Sequence, residues 1–169
     1  MARKSRYRRY RRGRWSSNIT ELNNIQLSFE NGISSQTATL VTNPVQSNLS
    51  TSQVYTIKNV ELNFLIDAFA TSSLAGLDNI NVYIMFVPQG MNVSSDYNLQ
   101  HPEYIMAHRM QGGPTADSDQ KYQPLKIKTR LARRLNTGDS IIVFIKAHND
   151  TETVTCRFSG LLKWWSKAN

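Results

Sequence analysis

Apolar and polar residues alternate with a period of two along most of this chain, and that pattern restricts the fold more than any other feature. Val60, Leu62, Phe64, Ile66 and Ala68 fall on one face, with Glu61, Asn63 and Asp67 opposite. Leu125, Ile127, Thr129 and Leu131 alternate with Lys126, Lys128 and Arg130. Successive side chains of a strand point to opposite faces, so such segments read as half-buried strands; a helix would repeat its apolar residues every three to four positions. The same reading covers Ile25, Leu27 and Phe29, then Ile80, Val82, Ile84 and Phe86. In the last strand Val154, Cys156, Phe158, Gly160, Leu162 and Trp164 share one face, with Thr155, Arg157, Ser159, Lys163 and Trp165 on the other. Ile141–Ile145 is apolar throughout, as expected of a strand covered on both faces.

The remaining segments are assigned by composition and by turn residues. Ile33–Thr42 is rich in Thr, Val and Leu and reads as a strand. Tyr104–Met110 fits strand or helix; strand is chosen because Gly112-Gly113-Pro114 follows closely. Turns are expected at Asn31-Gly32, Asp78-Asn79, Pro88-Gln89-Gly90 and Asn149-Asp150, with a hairpin-type turn at Asn136–Asp139. Ser16–Asn24 reads as a polar linker and Asn43–Gln53 as an exposed loop. Residues 91–103 are irregular, with one helical turn near His101-Pro102-Glu103. About eight strands without a long amphipathic helix predict an all-β fold, a two-sheet antiparallel sandwich or barrel with Greek-key connections.

Charge divides the 169 residues unequally. The chain carries 20 basic and 12 acidic residues, a net of +8. Arg3, Lys4, Arg6, Arg8, Arg9, Arg11, Arg12 and Arg14 supply eight of the cations, and no acid precedes Glu21. The rest of the chain therefore holds 12 basic residues against 12 acidic ones. An arm of this kind repels itself and has almost nothing apolar to bury, so residues 1–17 are expected to form a disordered arm and 18–169 one domain. Its partner must be polyanionic. Guanidinium groups give bidentate contacts to phosphate, and Tyr7, Tyr10 and Trp15 supply rings on which unpaired bases can stack. Nuclear import is a second use of the same residues. No apolar helical face suits a membrane surface, and no apolar run spans a bilayer. The N-terminus lacks the apolar core of a secretion signal, so the chain is expected to start in the cytosol and its four Asn-X-Ser/Thr sites to remain unglycosylated.

Nothing in the sequence argues for an enzyme, a metal or a cofactor. His101, His108 and His148 lie on separate elements, without ligand spacing to the single cysteine. Cys156 shares a face with Val154, Phe158 and Leu162, which marks it as a packing residue rather than a nucleophile. Asp117 and Asp119 fall in a polar loop and read as solvated. A second basic cluster, Lys126, Lys128, Arg130, Arg133 and Arg134, is either a solvated outer face or a second phosphate-contacting surface. Of Trp164 and Trp165, one fits the core and the other must point away, to be capped by a loop or a neighbouring subunit.

The segments RYRRYRRGRW (6–15), HPEYIMAHR (101–109), RLARRLNTGDSIIVFI (130–145) and GLLKWWSKAN (160–169) resemble the capsid proteins of circular, replication-initiator-encoding single-stranded DNA viruses, the circovirus-like group. The resemblance implies an eight-stranded jelly-roll sandwich, a shell of sixty copies and an inward-facing arm. By that likeness Lys4 and the arginines of the arm bind the genome and direct nuclear import, and the protein occurs in the virion and in the host nucleus and cytoplasm. The residues alone do not separate a DNA cargo from an RNA cargo, so the coat protein of a satellite RNA virus fits as well. A cellular single-stranded nucleic-acid-binding module is the reading from another class. A capsid sediments as one large particle, and such a module does not.

Overall fold

A computed structural model describes residues 14–43, 54–69, 74, 77–111, 124–150 and 152–168. Residues 1–13 of the arm, most of the expected loop 43–53, Gly112-Gly113-Pro114, Asp117 and Asp119 lie outside the described residues.

The described chain is all-β, with nine strands in two antiparallel sheets. In order they are β1 (Ser16–Phe29), β2 (Gly32–Thr42), β3 (Tyr55–Ala68), β4 (Leu77–Val87), β5 (Ile105–Gln111), β6 (Leu125–Lys128), β7 (Arg133–Leu135), β8 (Ser140–Asn149) and β9 (Val154–Ala168). A short helix α1 (Tyr97–Gln100) and a 3-10 turn (Pro102–Tyr104) lie between β4 and β5. One sheet has the order β1-β9-β3-β6, with β7 also paired to β3; the other runs β2-β8-β4-β5. The two are called the β1 sheet and the β2 sheet below. Apart from β4–β5 and the break between β6 and β7, every connection crosses from one sheet to the other. The expected hairpin at Asn136–Asp139 is such a crossing: it leads from β7 in the β1 sheet to β8 in the β2 sheet. Its Asp139 is buried, and the carboxylate accepts from the Asn136 amide at 2.7 Å and the Gln89 amide at 2.9 Å, joining this crossing to the end of β4.

The ninth strand arises from a break. β6 pairs with Glu61–Phe64 and β7 with Tyr55–Ile57, both on the side of β3 away from β9. Two short strands thus occupy one edge position, and each sheet has four positions. The alternation expected to run through Leu131 stops at Lys128, and Leu131 is 51% exposed. The break faces an irregularity in β3, whose register shifts between Lys58 and Glu61. There the Thr129 amide still donates to the Val60 carbonyl at 2.8 Å.

Three such shifts share one local cause. Asn24, Asn59 and Asn79 have φ of +54°, +52° and +49°, and they lie at the register shifts of β1 (Leu22/Ile25), β3 (Lys58/Glu61) and β4 (Asp78/Asn81). Asparagine tolerates the left-handed conformation better than other residues with a Cβ. An inserted residue reverses the inside–outside phase of everything beyond it. Ile57 and Val60, three apart, are therefore both buried, as are Leu77 and Ile80 on β4 and Leu22 and Leu27 on β1. This corrects two expectations. Asp78-Asn79 is a bulge inside β4, not a turn, and Ser16–Asn24 is the first half of β1, not a linker. That half is mostly exposed because β1 is an edge strand with β9 as its only ladder partner among the described residues, and it sends only Leu22 into the core.

The main core fills the space between the sheets, with Phe29, Phe64, Phe158, Leu62, Ile66, Ile84, Val143 and Cys156 among its members. Phe64 and Phe158 stack at 5.2 Å between ring centroids. Gly160, opposite Phe64 on the adjacent strand, gives them room: a Cβ there would lie 2.6 Å from the Asn63 carbonyl oxygen. A smaller core lies on the outer side of the β2 sheet, where Met85, Val87, Ile142 and Phe144 are covered by Tyr97 of α1. β8 accordingly buries Ile141, Val143 and Ile145 in one core and Ile142 and Phe144 in the other, as its apolar run predicts. Trp164 packs against the main core, and Trp165 points outward.

Replacing Asn59 tests the bulge. Asn59→Gly should leave stability within a few tenths of a kcal/mol, whereas Asn59→Val, β-branched at positive φ, should cost about 1–2 kcal/mol in urea unfolding. Cys156 is fully buried, and burial pushes its thiol up from about 9 to about 12. It should react slowly with thiol reagents until the protein is unfolded. A raised folded-state value means that the thiol's contribution is complete below pH 9 and is lost as pH rises through about 12. Cys156→Ala should cost about 1–2 kcal/mol near neutrality and make the alkaline loss of stability shallower. The decline that persists includes Tyr97, which burial also pushes up to about 12.

Candidate nucleic-acid interface

Of the eight arm cations, only Arg14 lies within the described residues, and it is exposed. The next residue, Trp15, fixes the root of the arm on the β1 sheet: the Lys58 Nζ of β3 lies 3.9 Å from the centre of its ring. A cation over an indole face is attracted by the ring's negative potential. From Ser16 onward the chain pairs with β9, beginning opposite Ser166. The arm thus leaves the sandwich at the β1 sheet.

The structure divides the second basic cluster. Lys126 and Lys128 stand opposite Asn63 and Glu61 on the outward face of the β1 sheet, and Arg134 stands opposite Thr56 on that face. Arg130 follows β6 and is exposed. Arg133 points the other way. It is opposite buried Ile57, its guanidinium donates to the Glu103 carbonyl, and it lies 5.8 Å from the Phe86 ring. It ties the β7 edge to the 3-10 turn beside the other sheet, a structural task. A cluster expected to act together is thus four exposed cations and one tether.

Sequence reasoning did not join this cluster to Lys58 on β3 or to Arg157, Lys163 and Lys167 on β9, which share the outward face. The signal for β9 was present, since Arg157 and Lys163 have the phase of Trp165. What the sequence cannot supply is that β9 lies between β1 and β3, with β6 beyond. Lys126 bonds Glu61 at 2.6 Å, the only ion pair on this face among the described residues. That bond from Lys126 is the largest influence holding the Glu61 carboxyl below its usual range, with smaller support from Asn63 and the Lys163 charge and a counteracting effect of burial.

Beside this face, a groove of about 510 Å³ opens between the edges of β5 and β6. His108, Arg109, Lys126 and Lys128 line it, and no acid does among the described residues. The histidines have separate surroundings. His108 bonds Asn81 at 2.9 Å and stacks on Tyr83, His101 faces Glu103 at 3.2 Å, and His148 faces Asp150 at 3.2 Å. Among the described residues, no three His, Cys, Asp or Glu side chains gather as a metal site would require. The surface offers exposed cations and, at Trp165, an exposed ring.

No protein-family model matches the chain, and no curated protein does. Among solved structures, the chain is similar to the structure of infectious bursal disease virus Gx strain, with 13% identity and a TM-score of 0.40 over 89% of this chain and 32% of that one. It is also similar to the VP2 subviral particle of infectious bursal disease virus, with 11% identity and a TM-score of 0.23 over 90% of this chain and 42% of that one. The chain spans less than half the length of either.

Proposed function

We propose that this chain is the shell protein of a small virus, one that packages single-stranded nucleic acid through its N-terminal arm. The observation that carries the reading is the charge partition: eight cations in the first 14 residues, joined to a body with 12 basic and 12 acidic residues. The arm is a polycation tied to a domain that has no net charge of its own. The strand order β1-β9-β3-β6/β7 against β2-β8-β4-β5 supports a jelly roll, since eight positions in two four-position sheets with alternating crossings are what two nested Greek keys produce. Such a domain serves a shell when many copies close around the cargo, here sixty by the resemblance of the sequence. At about 3.3 Å per residue the 14-residue arm reaches roughly 45 Å, enough to search the interior of a small shell. The same residues would serve nuclear import, with single-stranded DNA as the cargo. The reading requires no catalytic group, metal or cofactor.

Sedimentation of the purified protein, followed by nuclease digestion of whatever nucleic acid co-purifies, tests both halves. The expected result is one large closed particle whose contents are lost to DNase and survive RNase. RNase sensitivity would replace the DNA cargo with RNA, and a small soluble species would remove the shell. For unassembled subunits on a short single strand, each phosphate contact contributes about −0.7 to the log–log slope of affinity against salt. The eight arm cations should therefore contribute roughly −5 to −6. Removing residues 1–14 should abolish that share, and an unchanged slope would exclude the arm as the packaging element.

A further inference from the structure

The two outer faces of the sandwich are electrically unlike. On the β2 sheet, Lys146 is the only lysine or arginine at an outward strand position among the described residues; it is bonded to Asp96 at 2.9 Å, and much of that face is covered by α1 and its flanking loop. On the β1 sheet, seven outward cations meet three carboxylates, Glu21, Glu61 and Asp67, at strand positions among the described residues. A chain whose body is neutral in total thus carries a cationic face on the sheet from which the arm departs.

Trp165 lies within that face. It is 41% exposed, although its neighbour Trp164 is packed against the core. Across the sheet it stands between Ser17 of β1 and Lys58 of β3. Along β9, its neighbours on the same face are Lys163 and Lys167, each two residues and so about 7 Å away. An exposed indole surrounded by three lysines combines the two contacts that bind unpaired nucleic acid without regard to sequence: a flat ring for a base and cations for the flanking phosphates. Lys58 also bonds the Trp15 ring, so this group is continuous with the root of the arm.

We propose that the outward face of the β1 sheet is a second contact surface for single-stranded nucleic acid, with Trp165 as a stacking platform and Lys58, Lys163 and Lys167 as its phosphate contacts. This rests on the reading of the chain as one that binds nucleic acid through its arm.

The test uses the full chain, unassembled, with a short oligothymidylate titrated across salt. Lys58→Gln, Lys163→Gln and Lys167→Gln together should reduce the magnitude of the slope by about 2, as should a matched arm variant with Arg8→Gln, Arg9→Gln and Arg11→Gln. Trp165→Ala should weaken binding about fivefold or more with the slope unchanged, and Trp165→Phe should recover most of that loss. The Lys126–Glu61 bond is left intact in all of them, and urea unfolding compares their stability with the parent. A variant-free readout comes from photocrosslinking a bromodeoxyuridine strand to the unaltered protein, with a crosslink expected in Trp164–Lys167. If only the arm variant changes the slope and crosslinks fall only before Ser16, the face is not a contact and the arm reading survives. If the parent chain shows no salt-dependent binding, the functional reading fails and this inference fails with it. If the face variants block particle formation yet bind as the parent does, the surface is a contact with a second copy of this chain and the inference is overturned.

Discussion

The sandwich depends on phase. A strand side chain has only two directions available, and a slip of one residue moves a whole apolar row from the core into water. β1 and β3 are each 14 residues long, and the apolar residues of β1, β3 and β4 do not stay in one phase from end to end. Three asparagines in the left-handed conformation absorb the mismatch by adding one residue where the phase must change. Without them Leu22, Ile57 and Leu77 would point outward while the remainder of their strands pointed inward. The break between β6 and β7 belongs to the same economy, since the edge strands give way opposite the β3 bulge.

The fold was readable from the sequence wherever burial was one-sided and uninterrupted. β9, the second half of β3 and the doubly covered run of β8 announce themselves by pattern alone. The first half of β1 does not, because an edge strand in water uses polar residues and its bulge breaks the rhythm. Asp78-Asn79 carries the residues of a turn and is used for a bulge, and short-range chemistry is alike in the two. Residues 128–132 keep the expected alternation in sequence, but the ladder ends for a reason located on another strand. The candidate interface was legible only in part. Lys126 and Lys128 follow from alternation, whereas Arg133 shares their cluster in sequence and leaves it in space. The lysines of β3 and β9 join the face through pairings between residues far apart along the chain, which no local pattern encodes.

Net charge conceals this arrangement. A body with equal numbers of acids and bases would suggest a uniformly mixed surface, but the sheets segregate the charges. The β2 sheet spends its outer face on apolar packing beneath α1, and the β1 sheet leaves its outer face open to water and rich in lysine. One side of the molecule is partly covered by its own chain, and the other presents its lysines and Trp165.

The single cysteine has a wider implication. With one cysteine per chain there is no second thiol within the chain for it to pair with, and burial keeps it both protonated and out of reach. The folded chain therefore holds no intrachain disulfide at any redox potential. What holds the sandwich together is packing and strand pairing alone, and neither is changed by a thiol–disulfide equilibrium.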